Sequence, residues 1–212
     1  MRRDAILIAG LVLALLCAAG FGWLADQVAG GHTAQFDSRV RDVIHTWASP
    51  ALTGSMRIMS FIGEPYIIWP LLVVALLLRE RLGINGSLLV IAMAGEVLIE
   101  QALKFGFRRA RPEPFFGYPL PGSYSFPSGH ALASLVFFGT FAALLSPRVR
   151  SWWKHALLWT GAALLIAAIG FSRIYLGVHY PTDVIGGYAA GLAWVFAIAV
   201  GNRARRQRIK RV

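Results

Sequence analysis

The stretch Ser172-Arg173-Ile174-Tyr175-Leu176-Gly177-Val178-His179-Tyr180-Pro181-Thr182-Asp183 joins two long apolar segments and carries the pattern Ser-Arg-x5-His-x3-Asp. Proline suits the first turn of a helix, so Pro181 predicts that a new helix begins here. Asp183 falls in that first turn, where the helix dipole favours a carboxylate. This carboxylate can hold the Nδ1–H of His179, which leaves Nε2 of that ring free. The alternative is a carboxylate that only caps the helix.

Two earlier segments also lie at the end of an apolar run: Lys104-x6-Arg111-Pro112 and Pro127-Ser128-Gly129-His130. In the second, Ser128 is a favoured N-cap residue, and Gly129 allows a ligand to approach the backbone. The free N–H groups of the following turn form an anion site, and an anion bound there would lie beside His130. The alternative is a plain helix cap with a histidine at the membrane interface.

The composition indicates an integral membrane protein. Of the 212 residues, 57% are hydrophobic and only 15% are charged, whereas soluble domains carry about 25% charged residues. The length suits one domain, residues 1–212, with the motifs confined to a core at about 96–191. The net charge of +11 is segregated between apolar runs, so we expect no nucleic-acid partner.

Six apolar runs approach the roughly 20 residues that a helix needs to cross a bilayer. The predicted fold class is therefore all-α, an integral membrane bundle of six transmembrane helices. These spans are predicted at residues 5–25, 61–78, 86–103, 130–145, 156–171 and 182–200.

A short amphipathic helix is predicted between the first and second spans. Its apolar residues Val40, Val43, Ile44 and Trp47 repeat at helical spacing. Asp37 or Ser38 is a candidate for the cap at its start. The pattern fits a helix on the outer membrane surface and equally fits one packed on the bundle.

The basic residues predict the orientation of the bundle. With six spans both termini lie on one side, and that side carries thirteen of the 21 Lys and Arg residues. The positive-inside rule places this side, including the basic tail at 203–212, in the cytoplasm. All three motifs then lie on the outer face of the membrane.

The three motifs together contain the side chains that cleavage of a phosphate ester requires. Phosphoryl transfer needs cations around the phosphate oxygens, an in-line nucleophile and an acid for the leaving oxygen. The candidate cations are Lys104, Arg111 and Arg173, which taken singly also suit contacts with lipid headgroups. His130 and His179 are the candidates for the acid and the nucleophile.

These motifs, complete and in this order, resemble the signature of the type 2 phosphatidic acid phosphatase superfamily, which includes membrane lipid phosphatases and soluble vanadium haloperoxidases. The resemblance, closest to compact bacterial members, implies that His179 is the nucleophile that forms a phosphohistidine and that Asp183 orients it. It implies that His130 protonates the leaving lipid oxygen. Phosphate binding would fall to Lys104, Arg111, Ser128, Gly129 and Arg173.

The resemblance also implies a metal-independent lipid phosphatase without a cofactor, and the motif loops lack the carboxylate cluster that a magnesium site needs. Expected substrates are undecaprenyl diphosphate, phosphatidylglycerol phosphate and phosphatidic acid, whose tails stay in the bilayer. The alternatives are a vanadium-haloperoxidase-like enzyme and a non-catalytic lipid-binding or transport protein. The oligomeric state is left open.

Several charged residues outside the motif positions are secondary candidates for the phosphate-binding site. Glu96, Glu100 and Lys104 share one helix face, so Glu100 is expected to pair with Lys104 or to join helices as a polar contact. Arg108 and Arg109 are candidates for a second phosphate or an anionic headgroup, or are solvated loop charges. Glu64 is a further candidate near the start of the second span.

Overall fold

The computed structural model describes residues 2–209, and this part of the chain is helical without a strand. A π turn at Leu135–Gly139 and a 3-10 turn at Ser146–Arg148 make residues 129–148 one continuous rod. Lys210 and Arg211 of the predicted basic tail lie outside the described residues. The α-helices are α1 Arg2–Ala29, α2 Ala34–His45, α3 Pro50–Ile62, α4 Pro65–Leu77, α5 Arg79–Leu82, α6 Gly86–Phe107, α7 Gly129–Ser134, α8 Thr140–Leu145, α9 Trp152–Tyr175 and α10 Pro181–Ile209.

Within the described chain, four helical segments are long and apolar enough to cross a bilayer. They are Asp4–Ala29, Gly129–Arg148, Trp152–Tyr175 and Pro181–Arg208. The consecutive helices α3 and α4 count as a fifth if they form one bent span. The 22-residue α6, at the predicted third span, is not among them. The all-α fold with several apolar helices is thus confirmed, while the count of six spans stays a prediction.

The outward faces of these helices carry large apolar side chains that no other part of the described chain covers. Leu77 is 78% exposed and Leu98 is 71% exposed, and the outer faces of α1 and α9 are similarly apolar. Soluble monomers rarely expose apolar patches of this extent. Hydrocarbon chains of lipid are the natural neighbour of such a surface.

The predicted second span is interrupted where the sequence reads Gly63-Glu64-Pro65. Helix α3 ends at Ile62, α4 begins at Pro65, and the two helices bend by 52° at this point. Pro65 occupies the first turn of α4, where proline is well tolerated. The prediction that one uninterrupted span covers residues 61–78 is therefore wrong, because α3 begins earlier, at Pro50, and the chain bends before α4. The break turns Glu64 towards the interior.

The predicted amphipathic helix is present as α2, but the burial of its side chains does not follow the predicted division into an apolar and a polar face. Ile44 is buried as expected, whereas Val43 and Trp47 are more than half exposed. Asp37 is fully buried and lies inside the helix, so it does not cap the helix start, which follows Thr33. The complete burial of Asp37 favours the alternative that α2 packs on the bundle.

A central apolar core brings α4, α6, α7 and α10 together. Its fully buried members include Leu89, Met93, Leu132 and Val136. Helix α10 approaches the start of α7 closely because residue 187 is glycine: a Cβ there would lie 2.6 Å from the carbonyl oxygen of Ser128. This close contact holds the second and third motifs side by side.

Candidate active site

The three sequence motifs meet at one end of the bundle around a cavity of about 320 Å³. Helix α6 brings Lys104 to it, the loop after α6 brings Arg111, and the start of α7 brings Gly129. Helix α9 and the turn after it complete the wall. The residues of the predicted site that line the cavity are Lys104, Arg111, Gly129, His130, Arg173 and His179, together with the secondary candidate Glu100.

His179 and Asp183 form the pair that their spacing predicts. Nδ1 of His179 lies 3.3 Å from Oδ2 of Asp183. The same carboxylate oxygen accepts from the backbone N–H of Tyr180 at 2.8 Å and from the hydroxyl of Ser125 at 2.5 Å. Both members of the pair are buried. The carboxylate is therefore held from several sides, and it fixes the plane of the imidazole.

The contact with Arg111 decides which nitrogen of His179 carries the proton. Nη1 of Arg111 lies 3.0 Å from Nε2 of His179, and a guanidinium can only donate. Nε2 must therefore accept, which places the proton on Nδ1, facing Asp183. Burial, opposed by Asp183 and reinforced by Arg111 and Arg173, lowers the pKa of His179 to about 3. At neutral pH the ring is uncharged, with a lone pair on Nε2.

His130 has a carboxylate partner of its own in Glu64. The Nε2 atom of His130 lies 3.3 Å from Oε1 of Glu64, although the geometry is not that of a hydrogen bond. The same Oε1 lies 3.9 Å from Nη1 of Arg173. The break between α3 and α4 places Glu64 here, so this secondary candidate belongs to the cavity wall.

The three predicted cations point into the site from separate elements. Lys104 donates to Ser123 Oγ at 3.0 Å and pairs with Glu100 Oε1 at 2.8 Å, which is the pairing expected from their spacing. Arg111 donates to the carbonyl oxygen of Ser123 at 2.7 Å. Burial and the charge of Arg173 lower the pKa of Arg111 to about 10, so it stays charged at neutral pH. Ser123 thus ties two cations together, and no sequence signal marked it.

Arg173 is the most deeply placed of these cations. Its side chain is 1% exposed and donates to the hydroxyl of Ser60 on α3. The guanidinium also lies 5.6 Å from the ring centre of Tyr118. These contacts fix a charge that burial alone would disfavour.

Ser128 and Gly129 lie at the start of α7 as predicted, but the contacts of both residues differ from those expected. Ser128 occupies the N-cap position, but its hydroxyl does not cap the helix and is buried without a hydrogen-bond partner. Its backbone N–H donates to the carbonyl oxygen of Asp183 at 2.9 Å. A Cβ on Gly129 would lie 2.1 Å from Oε1 of Glu100. Glycine is needed here for the Glu100 carboxylate as well as for any ligand.

The remaining secondary candidates, Arg108 and Arg109, point away from the cavity. Arg108 is exposed and donates to the carbonyl oxygen of Phe105 within its own helix. Arg109 is neither solvated nor directed at a headgroup, because it donates to Asp183 at 2.5 Å and to Asp37 at 2.7 Å. The two carboxylates outweigh burial and raise its pKa. Asp37 was missed as a site residue, although it lies three and seven positions before Val40 and Ile44 on the same helix face.

Among the described residues, no three His, Cys, Asp or Glu side chains converge in an arrangement that could hold a metal ion. The cavity wall instead carries three cations and two imidazole groups, beside the carboxyl groups of Glu64, Glu96 and Glu100. Such a set suits an anionic ligand. Guanidinium and ammonium groups form strong, charge-assisted hydrogen bonds with phosphate oxygens.

Comparison with known proteins agrees with this geometry. The model of the PAP2 superfamily matches residues 85–207. Phosphatidylglycerophosphatase B of Bacillus subtilis is 30% identical over 155 residues, covering 72% of this chain and 74% of the relative. An undecaprenyl-diphosphatase of Sulfolobus acidocaldarius is 32% identical over 155 residues, covering 70% of this chain and 69% of the relative. The crystal structure of a transmembrane PAP2-type phosphatidylglycerolphosphate phosphatase from Bacillus subtilis superposes with a TM-score of 0.82 at 26% identity, covering 91% of this chain and 96% of that one.

Proposed function

Because the chain belongs to the PAP2 superfamily, we propose that it is an integral membrane phosphatase that hydrolyses lipid phosphate or diphosphate monoesters through a phosphohistidine, without a metal ion. One observation carries the proposal. The imidazole of His179 is uncharged, has its lone pair on Nε2, and lies in a cavity with three cations. A neutral nitrogen nucleophile surrounded by phosphate-binding charges suits attack on phosphorus.

In the first step Nε2 of His179 attacks the terminal phosphorus, and the bond from this phosphorus to the leaving oxygen breaks. The leaving oxygen belongs to the lipid alcohol in a monophosphate and to the remaining lipid phosphate in a diphosphate. Lys104, Arg111 and Arg173 bind the non-bridging oxygens, for which Arg111 turns from Nε2 to the phosphate. His130 donates a proton to the leaving oxygen. Asp183 stabilises the positive charge that develops on His179, since its carboxylate accepts the Nδ1–H.

In the second step water attacks the phosphohistidine, and the bond from phosphorus to nitrogen breaks. His130, now unprotonated, takes the proton from the water, and inorganic phosphate leaves. The N–H groups at the start of α7, where Gly129 lines the cavity, add donors for the phosphate oxygens in both steps. The hydroxyl of Ser128, which precedes them, is buried and makes no hydrogen bond within the described residues, so we propose that it turns to the phosphate as a further donor.

The substrate class follows from the position of the cavity among apolar helices and from the relatives. Their names specify phosphatidylglycerophosphate and undecaprenyl diphosphate, and we propose that this chain accepts both, as well as phosphatidic acid. The lipid tail stays in the bilayer beside the exposed apolar faces. The bilayer is thus the partner of this protein.

We further propose one domain over residues 1–212 with six spans, in which α3 with α4 forms the second span and α6 forms the third. We propose a bacterial inner membrane location, and the positive-inside count supports an orientation in which α1 starts and α10 ends in the cytoplasm. The cavity then opens at the outer face. The basic segment after residue 203, helical as far as Ile209, would lie against anionic lipid of the inner leaflet.

The test is phosphate release by the detergent-purified protein from the three lipids in parallel, with EDTA present. His179→Ala is the inactive control. We expect release that survives EDTA and is lost in the variant, together with acid-labile 32P on the wild-type chain after quenching. Release that requires an added metal ion, or that the variant retains, would show that the reaction or the nucleophile is wrong. Bromide oxidation with vanadate in the absence of phosphate release would favour the haloperoxidase alternative.

A further inference from the structure

Asp37, on α2, is bound to the first turn of α10, which follows the nucleophile His179 in the chain. It is fully buried. Its Oδ1 accepts from the backbone N–H of Thr182 at 3.0 Å, and its Oδ2 accepts from the hydroxyl of Thr182 at 2.7 Å. The same Oδ2 pairs with Nη2 of Arg109 at 2.7 Å. A residue far from every motif is therefore joined to Thr182 of the third motif by two hydrogen bonds and to Arg109 by an ion pair.

Arg109 continues this connection to the catalytic carboxylate. Its Nη1 donates to Oδ1 of Asp183 at 2.5 Å and to Thr182 Oγ1 at 2.8 Å. Its guanidinium also stacks 4.2 Å from the ring centre of Tyr180. The planar fork thus binds one carboxylate with each nitrogen, which a lysine could not do.

These charges affect the reaction through His179. A lone guanidinium beside Asp183 would offset the negative charge that must stabilise the imidazole when it becomes positive during attack. Asp37 neutralises Arg109, so the group of Asp37, Arg109 and Asp183 keeps one net negative charge. In a buried setting such a charge acts strongly on a neighbour.

We propose that Asp37 and Arg109 are positioning residues of the active site: Arg109 fixes the orientation of Asp183, and Asp37 neutralises Arg109 so that Asp183 keeps its effect on His179. The inference rests on the proposed phosphohistidine chemistry. Neither residue lines the cavity, so neither touches the phosphate. Their effect is therefore expected in the chemical step and not in substrate binding.

The first experiment compares Asp37→Asn with Asp42→Asn, a carboxylate on the exposed side of the same helix. Phosphate release from phosphatidylglycerol phosphate is measured in detergent with the full-length proteins. For Asp37→Asn we expect kcat to fall by about 10- to 100-fold, the range found for groups that support a catalytic ligand from behind. KM should stay within about threefold, because the phosphate-binding cations are untouched. Asp42→Asn should match the wild type.

A second variant separates the charge effect from simple anchoring of the helix. Asp37→Asn with Arg109→Gln removes both charges and restores the single negative charge at Asp183, while glutamine can still donate one hydrogen bond to it. The proposal predicts that this double variant regains at least about fivefold in kcat over Asp37→Asn alone. Anchoring alone predicts that the second substitution adds further damage. Should Asp37→Asn not fold, Arg109→Lys keeps the charge but cannot bridge both carboxylates, and its kcat should fall with KM unchanged.

A kcat within twofold of wild type for Asp37→Asn would overturn the proposal. So would a double variant slower than Asp37→Asn, or a loss that lies entirely in KM. These outcomes are measured relative to an active wild type. They are therefore distinct from failure of the proposed function, which would show as no release by the wild type or as activity retained in His179→Ala.

Discussion

The contact between Gly129 and Glu100 predicts that a single added methyl group will impair phosphate binding without unfolding the protein. In Gly129→Ala the new Cβ would lie 2.1 Å from Oε1 of Glu100, whereas ordinary contacts begin at 3.4 Å. The carboxylate must therefore move by roughly 1.3 Å. It is the flexible end of a side chain, so the cost to folding is small. Yet this carboxylate holds Lys104 at 2.8 Å, and the movement releases that ammonium group.

The expected loss follows from the importance of placement at a reacting centre. A displacement of about 1 Å can cost about 100-fold in rate, so we expect kcat/KM of Gly129→Ala to fall by about 100-fold, or about 2.7 kcal/mol of transition-state stabilisation. The matched control is Gly139→Ala in the same helical rod, where an added Cβ has no neighbour within 4 Å. This variant should keep full activity, because the added methyl group displaces no side chain. It should also fold at least as well as the wild type, since alanine is favoured over glycine in a helix by about 1 kcal/mol.

The assay is steady-state phosphate release from phosphatidylglycerol phosphate, with thermal unfolding in detergent as the check on folding. A third variant, Gly129→Ala with Glu100→Ala, removes the clash together with the carboxylate. If the damage passes through Glu100, the double variant should be no slower than Glu100→Ala alone. Activity of Gly129→Ala within threefold of the Gly139→Ala control would refute the reasoning. A double variant much slower than Glu100→Ala would instead place the clash with the substrate.

Two further predictions concern the histidines. Glu64→Gln should lower kcat by about 10-fold with KM little changed, because the neutral amide cannot stabilise the positive charge that His130 carries before it donates its proton. Steady-state kinetics beside the exposed control Glu80→Gln checks this prediction, and an unchanged kcat would contradict it. Arg111→Gln removes a cation 3.0 Å from Nε2 of His179, which favours the protonated ring and so raises a pKa that stands at about 3. The acid limb of kcat/KM should therefore move to higher pH by about one pH unit. Profiles are measured from pH 3 to 8, and superimposable profiles for the wild type and the variant would contradict the assignment.

The positions of the motif residues could be predicted from sequence because local spacing determines them. His179 and Asp183 are four residues apart across a helix start, so their contact depends only on where that helix begins. Pro181 marks that start. Glu100 and Lys104 are likewise one helical turn apart, and their pairing follows from the period of the helix.

The roles of Arg109 and Arg111 could not be separated from sequence. They lie two residues apart in an irregular loop, where no period relates the direction of one side chain to that of the next. Arg111 faces the cavity, and Arg109 faces the opposite way, behind Asp183. The partner that fixes Arg109 is Asp37, whose contact depends on the packing of α2 against the start of α10.

The break at Gly63-Glu64-Pro65 shows a different limit of prediction from sequence. A glycine with a proline two residues later favours the end of one helix and the start of another. The apolar run, however, continues on both sides, and apolarity is the stronger signal for a membrane span. Which of the two dominates depends on packing, because the bend is held where Gly63 fits closely against Ile169 and His130.

The different surroundings of the two histidines support their assigned roles. A nucleophile that forms a covalent bond has to keep one tautomer and one orientation throughout, and the carboxylate behind His179 is fixed by Arg109, Ser125 and the backbone of residue 180. An acid that must also serve as a base gains and loses its proton in each turnover, so a rigid ion pair would oppose one of its two states. The carboxylate near His130 is partly exposed and is not aligned for a hydrogen bond. A loosely held partner of this kind tolerates both protonation states, which is what the second histidine requires.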